Sequence, residues 1–381
     1  MLKQQKIFFD FLRFCIGSAK EIPGSLKEAD WKELYAIAQK QALLGVLFHG
    51  IRRLPKELAP EQKLLMQWMV MAEMIRKQNI KLFLDSVKVC QNFENGGFAN
   101  CILKGQGNAL LYPDPYMRTP GDIDIYLSGG RKRVMQYINK VCPNQVMRYH
   151  HVDFPVMKTA IEVHFTPSYM FFPIHNSRMQ KWFKEVMGEQ CNHRVSLPDG
   201  YGEIHVPQVS FNVIYILSHL YRHIFTEGIG LRQLLDYYFV LVKWHTDLTN
   251  LTDSNKSLPQ MTQINTDLDT LRHELKYLGL WKFAQAVMYV LHEVFGLSED
   301  RMIAPMDERE GRFLLDEIMR GGNFGQYDDR MGSKAGESKI HRYFRMNLRN
   351  LRFVKHYPTE ALSEPLFRTW FAVWKNIHGI K

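Results

Sequence analysis

Two acidic residues, Asp122 and Asp124, stand two positions apart, between a glycine and a short apolar run. Because residues i and i+2 of a β-strand point to the same face, a strand here presents both carboxylates side by side, while Ile123 and Ile125 enter the core. Two like charges held this close need a cation, and hard divalent ions such as Mg²⁺ take oxygen ligands from one or two carboxylates and from substrate phosphates. The pair therefore predicts a metal and nucleotide site; the alternative is a solvated edge strand that follows a turn glycine.

A third carboxylate, Glu162, lies between two apolar residues in the segment Ala160–His164, which also has the composition of a strand. A neighbouring strand would bring it up to Asp122 and Asp124, and three carboxylates can hold the two divalent ions that phosphoryl-transfer enzymes use. Just upstream of the aspartates, Arg118 can make charge-assisted contacts to phosphate oxygens. A solvated loop arginine is the alternative for that residue.

These residues occur within four segments through which the chain resembles the uncharacterised bacterial nucleotidyltransferases of the DNA polymerase β superfamily. The resemblance covers roughly residues 31–242, and the joint order of the segments is more specific than any one of them. The segments are Leu103-Lys104-Gly105 leading to Leu111-Tyr112-Pro113, Arg118 with Gly121-Asp122-Ile123-Asp124, Ile161-Glu162-Val163-His164, and Gly230-Leu231-Arg232-Gln233-Leu234-Leu235-Asp236.

The resemblance implies a role for each matched residue. Gly105 is the turn glycine near the triphosphate, Asp122 and Asp124 are the paired ligands of Mg²⁺ or Mn²⁺, and Glu162 is the third carboxylate. The superfamily usually has a serine directly after the turn glycine, whereas this chain has a glutamine there. We therefore expect Lys104 to supply the charge that meets the phosphates.

The implied reaction is the metal-dependent transfer of a nucleoside monophosphate from an NTP to an acceptor hydroxyl. Such a transfer needs an in-line attack on the α-phosphate, two metal ions and a fixed substrate pose. The acceptor, whether a small molecule, a protein side chain or an RNA end, stays open, because analogy at the level of the fold does not choose among them. The alternative function is a non-catalytic nucleotide- or nucleic-acid-binding module on the same scaffold.

Two histidines and a carboxylate, His219, His223 and Glu227, recur at i, i+4 and i+8 and therefore share one face of a predicted helix. This spacing can bind zinc, but the zinc metalloprotease signature requires a glutamate directly after the first histidine, where this chain has a leucine. We instead expect the histidines to line the nucleotide cleft together with Arg232 and Asp236 of the next helix, because the resemblance reaches these positions. Helix packing with satisfied histidines is the alternative.

A row of basic residues recurs at spacings of three and four on a predicted helix near the C-terminus, and no acidic residue occurs from residue 338 to residue 359. The row consists of Arg342, Arg345, Arg349 and Arg352, extended by Lys339 and Lys355. Such a face can follow a phosphate backbone, so this is the predicted site of a nucleic-acid acceptor. A solvated face, with the neighbouring aromatic residues in the core, is the alternative.

The elements that must position these residues change in type along the chain. Residues 1–97 have helical periodicity and form a predicted N-terminal helical arm, in which Asp30 is the N-cap of one helix and Pro60 the first residue of the next. Residues 98–206 contain short apolar runs, among them 123–127 and 146–154, which are separated by Gly, Pro and Asp clusters, as strands are. Residues 207–381 are mainly helical again. The predicted fold class is α+β: a small mixed β-sheet nucleotidyltransferase core of the polymerase β type, with a β-hairpin extension, an N-terminal helical arm and a mainly helical C-terminal domain.

Composition and net charge restrict the class of protein and its partners. Of the 381 residues, 46% are hydrophobic and 23% are charged, as in folded globular proteins. The net charge of +10 favours polyanionic partners such as nucleotides. The five cysteines form no C-x-x-C pair, and no apolar run has the length of a transmembrane helix or the form of a secretory signal. We therefore expect a cytoplasmic protein without membrane insertion.

Overall fold

The computed structural model describes residues 3–253, 268–330 and 338–378, and these form fourteen α-helices and six β-strands. The helices are α1 (Lys3–Ile16), α2 (Trp31–Lys40), α3 (Leu44–Ile51), α4 (Gln62–Asn95), α5 (Gln106–Ala109), α6 (Gly130–Val141), α7 (Pro173–Gln190), α8 (Val209–Thr226), α9 (Leu231–Asp253), α10 (Leu268–Tyr277), α11 (Trp281–Phe295), α12 (Glu308–Gly321), α13 (Lys339–Val354) and α14 (Pro358–Ile377). The strands are β1 (Asn100–Ile102), β2 (Ile123–Leu127), β3 (His151–Asp153), β4 (Ile161–His164), β5 (Arg194–Ser196) and β6 (Glu203–His205).

In the N-terminal arm, α2 begins directly after Asp30, as predicted, whereas α4 begins at Gln62 and not at Pro60. Asp30 caps α2, because its carboxylate accepts hydrogen bonds from the backbone N–H groups of Lys32 and Glu33 at 2.9 and 3.2 Å. These bonds satisfy two of the donors that the first turn of a helix leaves without an intrahelical partner. The next long apolar pattern forms α4, a helix of 34 residues that reaches from the helical arm to the sheet.

Four strands form one mixed sheet in the order β1-β2-β4-β3. β2 is parallel to β4, while β1 and β3 are antiparallel edge strands, and β5 and β6 form a separate hairpin. β2 has the predicted bounds, but the predicted strand 146–154 is shorter, because the chain turns there and the N–H of Arg148 donates to the carbonyl of His151 at 2.8 Å. The small mixed sheet among many helices confirms the predicted α+β class.

Two hydrophobic cores stabilise the fold. One lies between the sheet and the helices that cover it, and it contains Ile125 of β2 and Val163 of β4. The other lies mainly among helices and contains side chains of both the N-terminal arm and the C-terminal helices, such as Phe11 of α1 and Phe295 of α11. The N-terminal arm therefore packs on the C-terminal helices, and the domain boundaries at residues 97 and 206 stay predictions. Within the described ranges, no helix combines the length and the apolar character that crossing a bilayer requires.

Helices α3 and α4 hold the loop that leads into β2. The side-chain amide of Asn79 in α4 donates to the backbone carbonyls of Tyr116 and Arg118 at 2.7 and 2.8 Å. In α3, a Cβ on Gly45 would lie only 2.3 Å from the carbonyl oxygen of Met117, so this helix packs closer to the loop than any residue with a side chain permits. The position of the loop is therefore fixed from two sides.

Candidate active site

β2 carries the aspartates at the middle of the sheet. Ile123 and Ile125 are fully buried, as the alternation of a strand requires, and Asp124 on the other face is only 3% exposed. Asp122 immediately precedes the strand and is half-buried. The strand thus holds one carboxylate deep in the protein and a second one nearer to the solvent.

Glu162 is the register partner of Asp124 across the parallel strands β2 and β4. Directly opposite residues on neighbouring strands lie on the same face of a sheet, with Cβ atoms close enough for the side chains to interact. Asp124 and Glu162 therefore lie on adjacent strands, and Asp122 directly precedes the first of them. The pairing depends on contacts between distant parts of the chain, and it brings Glu162 to the position that the resemblance implies for the third carboxylate.

Two basic side chains contact Asp124. Nζ of Lys104 lies 3.0 Å from one carboxylate oxygen, and Nε2 of His164 lies 3.0 Å from the other. The same Nε2 atom lies 3.6 Å from a carboxylate oxygen of Glu162. His164 therefore connects the carboxylates of the two strands, and Lys104 supplies the positive charge nearest to the deeper aspartate.

The two aspartates have pKa values shifted in opposite directions. The negative charge of Asp124, together with burial, raises the pKa of Asp122 to about 6. Burial also acts to raise the pKa of Asp124, but the charge of Lys104 and the hydrogen bond from His164 outweigh it and hold this pKa well below its usual range. Asp124 is thus ionised at neutral pH, whereas ionisation of Asp122 costs free energy in the metal-free protein.

The turn between β1 and α5 requires a glycine. Gly105 has a φ of +59° and a ψ of −106°, a backbone conformation that residues with a Cβ rarely adopt. A Cβ here would lie 3.6 Å from the backbone carbonyl oxygen of Asp122, an ordinary van der Waals distance, so the backbone conformation and not the available space requires the glycine. The turn places the preceding residue, Lys104, beside the carboxylates, and its Nζ lies 3.2 Å from Nε2 of His219.

A narrow cleft opens beside the aspartates and is lined mainly by polar side chains. Its walls come from the β1–α5 turn, the loop before β2, and the helices α8 and α9. The polar lining residues are Lys104, Asn108, Arg118, Asp122, Asp124, His219, Arg232, Gln233 and Asp236, and Phe324 is the aromatic one. The structure therefore gathers most of the predicted nucleotide-binding residues in one place, and Glu162 adjoins them through its pairing with Asp124.

Arg118 forms a buried ion pair with Asp236 inside this cleft. Nε and Nη2 of the guanidinium donate to the two carboxylate oxygens at 2.8 and 2.7 Å, and the hydroxyl of Tyr112 donates to the same carboxylate at 2.7 Å. This bidentate geometry fixes the plane of the guanidinium. The pair joins the loop before β2 to α9, so two donor nitrogens of Arg118 are already in use, and its contact with a nucleotide stays a prediction.

The two histidines of α8 occupy different surroundings. Of the two, His219 lines the cleft, whereas Nδ1 of His223 lies 3.3 Å from the carboxylate of Glu227. Nη2 of Arg222 lies 2.8 Å from Nε2 of His223 and 3.4 Å from Nδ1 of His219, so a guanidinium stands between the imidazoles. Burial and the positive charge of Arg222 lower the pKa of His223 to about 4. A cation between these rings disfavours a zinc site and favours neutral histidines.

The C-terminal arginine row packs against the body of the protein. Arg349 is 7% exposed and donates to a backbone carbonyl of α8 at 2.9 Å. Nη1 of Arg352 lies 2.9 Å from a carboxylate oxygen of α12, and Nη1 of Arg345 donates to a backbone carbonyl at 2.7 Å. The side chain of Arg342 lies outside the described residues. Three of the four arginines thus have partners within the chain, and the nucleic-acid role of the row stays a prediction.

Histidines beside the carboxylates are the main feature that the sequence analysis missed. Nδ1 of His151 lies 3.5 Å from a carboxylate oxygen of Glu162 and 3.2 Å from Nε2 of His150. His164 stands two residues after Glu162, so the i, i+2 rule that groups the two aspartates would have placed these two side chains on one face as well. No local pattern indicates His150 and His151, because the pairing of an edge strand brings them to the site.

The donor set fits a divalent metal ion. Ligand atoms of Asp124, Glu162 and His164 lie within 4.8 Å of one another. Carboxylate oxygens are the ligands that Mg²⁺ and Mn²⁺ prefer. A nitrogen ligand such as His164 suits softer transition metals better than it suits these two ions. Asp124 and Glu162 are therefore the residues that would hold the ion, and Asp122 is the next acidic side chain along the strand.

One comparison with known proteins identifies the family. A model of the family described as uncharacterised nucleotidyltransferase matches residues 27–296, which is more than two thirds of the chain. The matched range contains the glycine turn, both acidic strands and the two helices that line the cleft. No curated protein and no solved structure matches the chain significantly. The four segments that carry the resemblance all lie within the matched range. The chain belongs to the family of uncharacterised nucleotidyltransferases.

Proposed function

We propose that the protein is a metal-dependent nucleotidyltransferase that transfers a nucleoside monophosphate from an NTP to an acceptor hydroxyl. The observation that carries this proposal is the register pairing of Asp124 with Glu162, with Asp122 two residues before Asp124. Two carboxylates thus lie on parallel strands and a third directly precedes one of them, in a chain of a nucleotidyltransferase family. Mg²⁺ or Mn²⁺ held there would stabilise the charge on the attacking and leaving oxygens.

The three carboxylates have different parts in this proposal. Asp124 is buried and ionised, and its two contacts hold it in place before any ion binds. Asp122 has a raised pKa because the negative charge of Asp124 and burial outweigh the positive charge of Lys104, so a divalent ion nearby would favour its ionised form. Glu162, half-buried on the neighbouring strand, completes the set. The charges of the three carboxylates therefore favour the binding of a divalent cation.

Positive side chains that line the cleft are the proposed phosphate ligands. Lys104 and Arg232 both line the cleft, and Nη1 of Arg232 donates to the carbonyl of Thr119 at 3.0 Å. Guanidinium and ammonium groups make strong, charge-assisted hydrogen bonds to phosphate oxygens. We assign Lys104 and Arg232 to the triphosphate, and the ion pair of Arg118 with Asp236 to the positioning of the loop that precedes the acidic strand.

The cleft is narrow in the structure described. Its enclosed volume is about 40 Å³, whereas ligand pockets typically measure roughly 300–1,000 Å³. Phe324 forms part of the lining, and its ring centre lies 5.3 Å from the guanidinium carbon of Arg232. We therefore expect the triphosphate to occupy the cleft beside Asp122, and the loop that carries Phe324 to move when a whole nucleotide binds.

Transfer of label tests the reaction. The four NTPs, each radiolabelled at the α-phosphate, are incubated with the protein, Mg²⁺ or Mn²⁺, and separate pools of RNA, proteins and small hydroxyl compounds. We expect metal-dependent incorporation from at least one NTP with release of pyrophosphate, and its loss in Asp124→Asn.

The matched control for this assay is Asp269→Asn, which changes an exposed aspartate of α10 that lies outside the cleft. We expect this variant to keep the full activity. Metal-dependent nucleotide binding without pyrophosphate release in any pool would contradict the proposed reaction and support the non-catalytic binding module instead.

A further inference from the structure

Three imidazoles meet beside the acidic strands. His151 of β3 and His164 of β4 are register partners, and His150 immediately precedes β3. The ring centre of His150 lies 4.4 Å from that of His151 and 5.1 Å from that of His164, and the latter two are 5.1 Å apart. Each ring offers one nitrogen, and these three nitrogens lie within 4.8 Å of one another. The side chains therefore form a compact nitrogen-donor cluster.

Two of these rings have unsatisfied nitrogen atoms. His150 is 3% exposed and His164 is fully buried. Within the part of the chain that the structure describes, Nδ1 of each ring is buried without a hydrogen-bond partner. Leaving a buried polar atom without a partner costs free energy, and such atoms in folded proteins mostly have a ligand, an ion or a water molecule next to them. The cluster is therefore incomplete as protein alone.

We propose that His150, His151 and His164 bind a divalent transition-metal ion of the Zn²⁺ class through one nitrogen of each ring. Nε2 of His164 already contacts Asp124 at 3.0 Å, so the unpartnered Nδ1 is the nitrogen of this ring that is available to the ion. Three imidazole nitrogens and one water molecule form a four-coordinate set of the kind that zinc takes in proteins. Imidazole suits Zn²⁺ and Co²⁺, whereas Mg²⁺ prefers oxygen ligands.

This site adjoins the proposed site of the nucleotide-bound ion. His150 and His151 are absent from the lining of the nucleotide cleft, whereas Nε2 of His164 contacts Asp124 at 3.0 Å. An ion held by β3 and β4 together would fix the edge strand of the sheet and the ring of His164. Because His164 contacts Asp124, a proposed ligand of the nucleotide-bound ion, occupancy of the imidazole site would orient that carboxylate for the reaction.

Cobalt absorption tests the proposal on the full-length protein. After treatment with a chelator, the protein is titrated with Co²⁺ in the presence of excess Mg²⁺. We expect one Co²⁺ to bind with the visible absorption of a nitrogen-rich, four-coordinate site, and stoichiometric Zn²⁺ to abolish it. Replacement of a ligand should weaken Co²⁺ binding in His151→Ala by at least about tenfold.

Two control variants separate this site from other sources of binding. His245→Ala removes a histidine of α9 that pairs with Asp300 and lies outside the imidazole cluster, so it should leave the absorption unchanged. Asp122→Asn should also keep it, because Asp122 belongs only to the nucleotide site. Absorption that persists in His151→Ala and disappears in Asp122→Asn would overturn the proposal, since the ion would then lie at the aspartates.

X-ray absorption of the zinc-loaded wild type provides a test that needs no variant. We expect a first shell of nitrogen and oxygen with the outer-shell scattering of two to three imidazoles. A shell of oxygen alone, or one that contains sulfur from the cysteines, would overturn the proposal. The proposed function is tested separately by Mg²⁺-dependent NTP binding, so a negative result for the imidazole site does not contradict the proposed nucleotidyl transfer.

Discussion

Asp124 and Glu162 lie opposite each other on the parallel strands β2 and β4. The chain reaches the second residue only after passing through α6 and the edge strand β3, so the pairing is a property of the sheet topology and not of any local motif. His164 contacts both carboxylates and Lys104 contacts the first. This arrangement of two carboxylates, one imidazole and one ammonium is the structural basis of the proposed nucleotidyl transfer.

The ion pair between Arg118 and Asp236 should stabilise the protein strongly. Asp236→Asn leaves the Arg118 guanidinium buried without its counter-charge, and removal of one partner of a buried pair typically lowers the free energy of unfolding by about 3–5 kcal/mol. Urea unfolding of the metal-free protein measures the change.

The control for this pair is Asp247→Asn, which removes one partner of the exposed pair with Lys243 on α9. Exposed pairs of this spacing contribute little, so we expect a loss of no more than about 0.5 kcal/mol. Similar small losses in both variants would show that the buried pair does not fix the loop before β2.

Asp122→Asn should stabilise the metal-free protein, in a way that depends on pH. Because the pKa of Asp122 is about 6 in the folded protein and near 3.8 as its ordinary value, ionisation opposes folding, and this cost grows as the pH rises between these values. Removing the charge should raise the free energy of unfolding by about 3 kcal/mol near pH 7.5 and by only about 1 kcal/mol near pH 4.5. Urea unfolding with a chelator at both pH values measures this, and a loss of stability near pH 7.5 would contradict the account.

Gly105→Ala should destabilise the turn that carries Lys104. The φ of +59° and ψ of −106° are strained for any residue with a Cβ, and such strain costs about 1–3 kcal/mol. The matched control is Gly188→Ala in α7, where a Cβ meets nothing within 4 Å and alanine should stabilise the helix by up to about 1 kcal/mol. Unfolding free energies that change equally in both variants would show that the glycine is not required at the turn.

Local patterns predict much of the fold. The alternation of Ile123 and Ile125 with acidic residues gives the bounds of β2, and an aspartate before a helical pattern gives the start of α2. The segment 146–154 has the composition of one strand, but a turn divides it, because the hydrogen bond between Arg148 and His151 competes with extension of the strand.

The residues that meet in the site are harder to predict from the sequence, because contacts between distant parts of the chain bring them together. Periodicity predicts the helix of the arginine row, but it does not show which face packs on the protein, and Arg349 is buried there. Strand composition suggests that Glu162 faces the aspartates, yet only the register of the parallel pair establishes it. The imidazoles of His150 and His151 join the site through edge-strand pairing, for which the sequence carries no local signal.

Isothermal titration of the four NTPs, with and without Mg²⁺, tests the central claim most directly. The account predicts Mg²⁺-dependent binding of at least one NTP to the wild type and to Asp269→Asn, and a loss of affinity of at least about tenfold in Asp124→Asn, because the buried carboxylate is then no longer available to the ion. Equal affinity in Asp124→Asn, or no binding of any NTP with either Mg²⁺ or Mn²⁺, would contradict the assignment of a nucleotide site to these carboxylates.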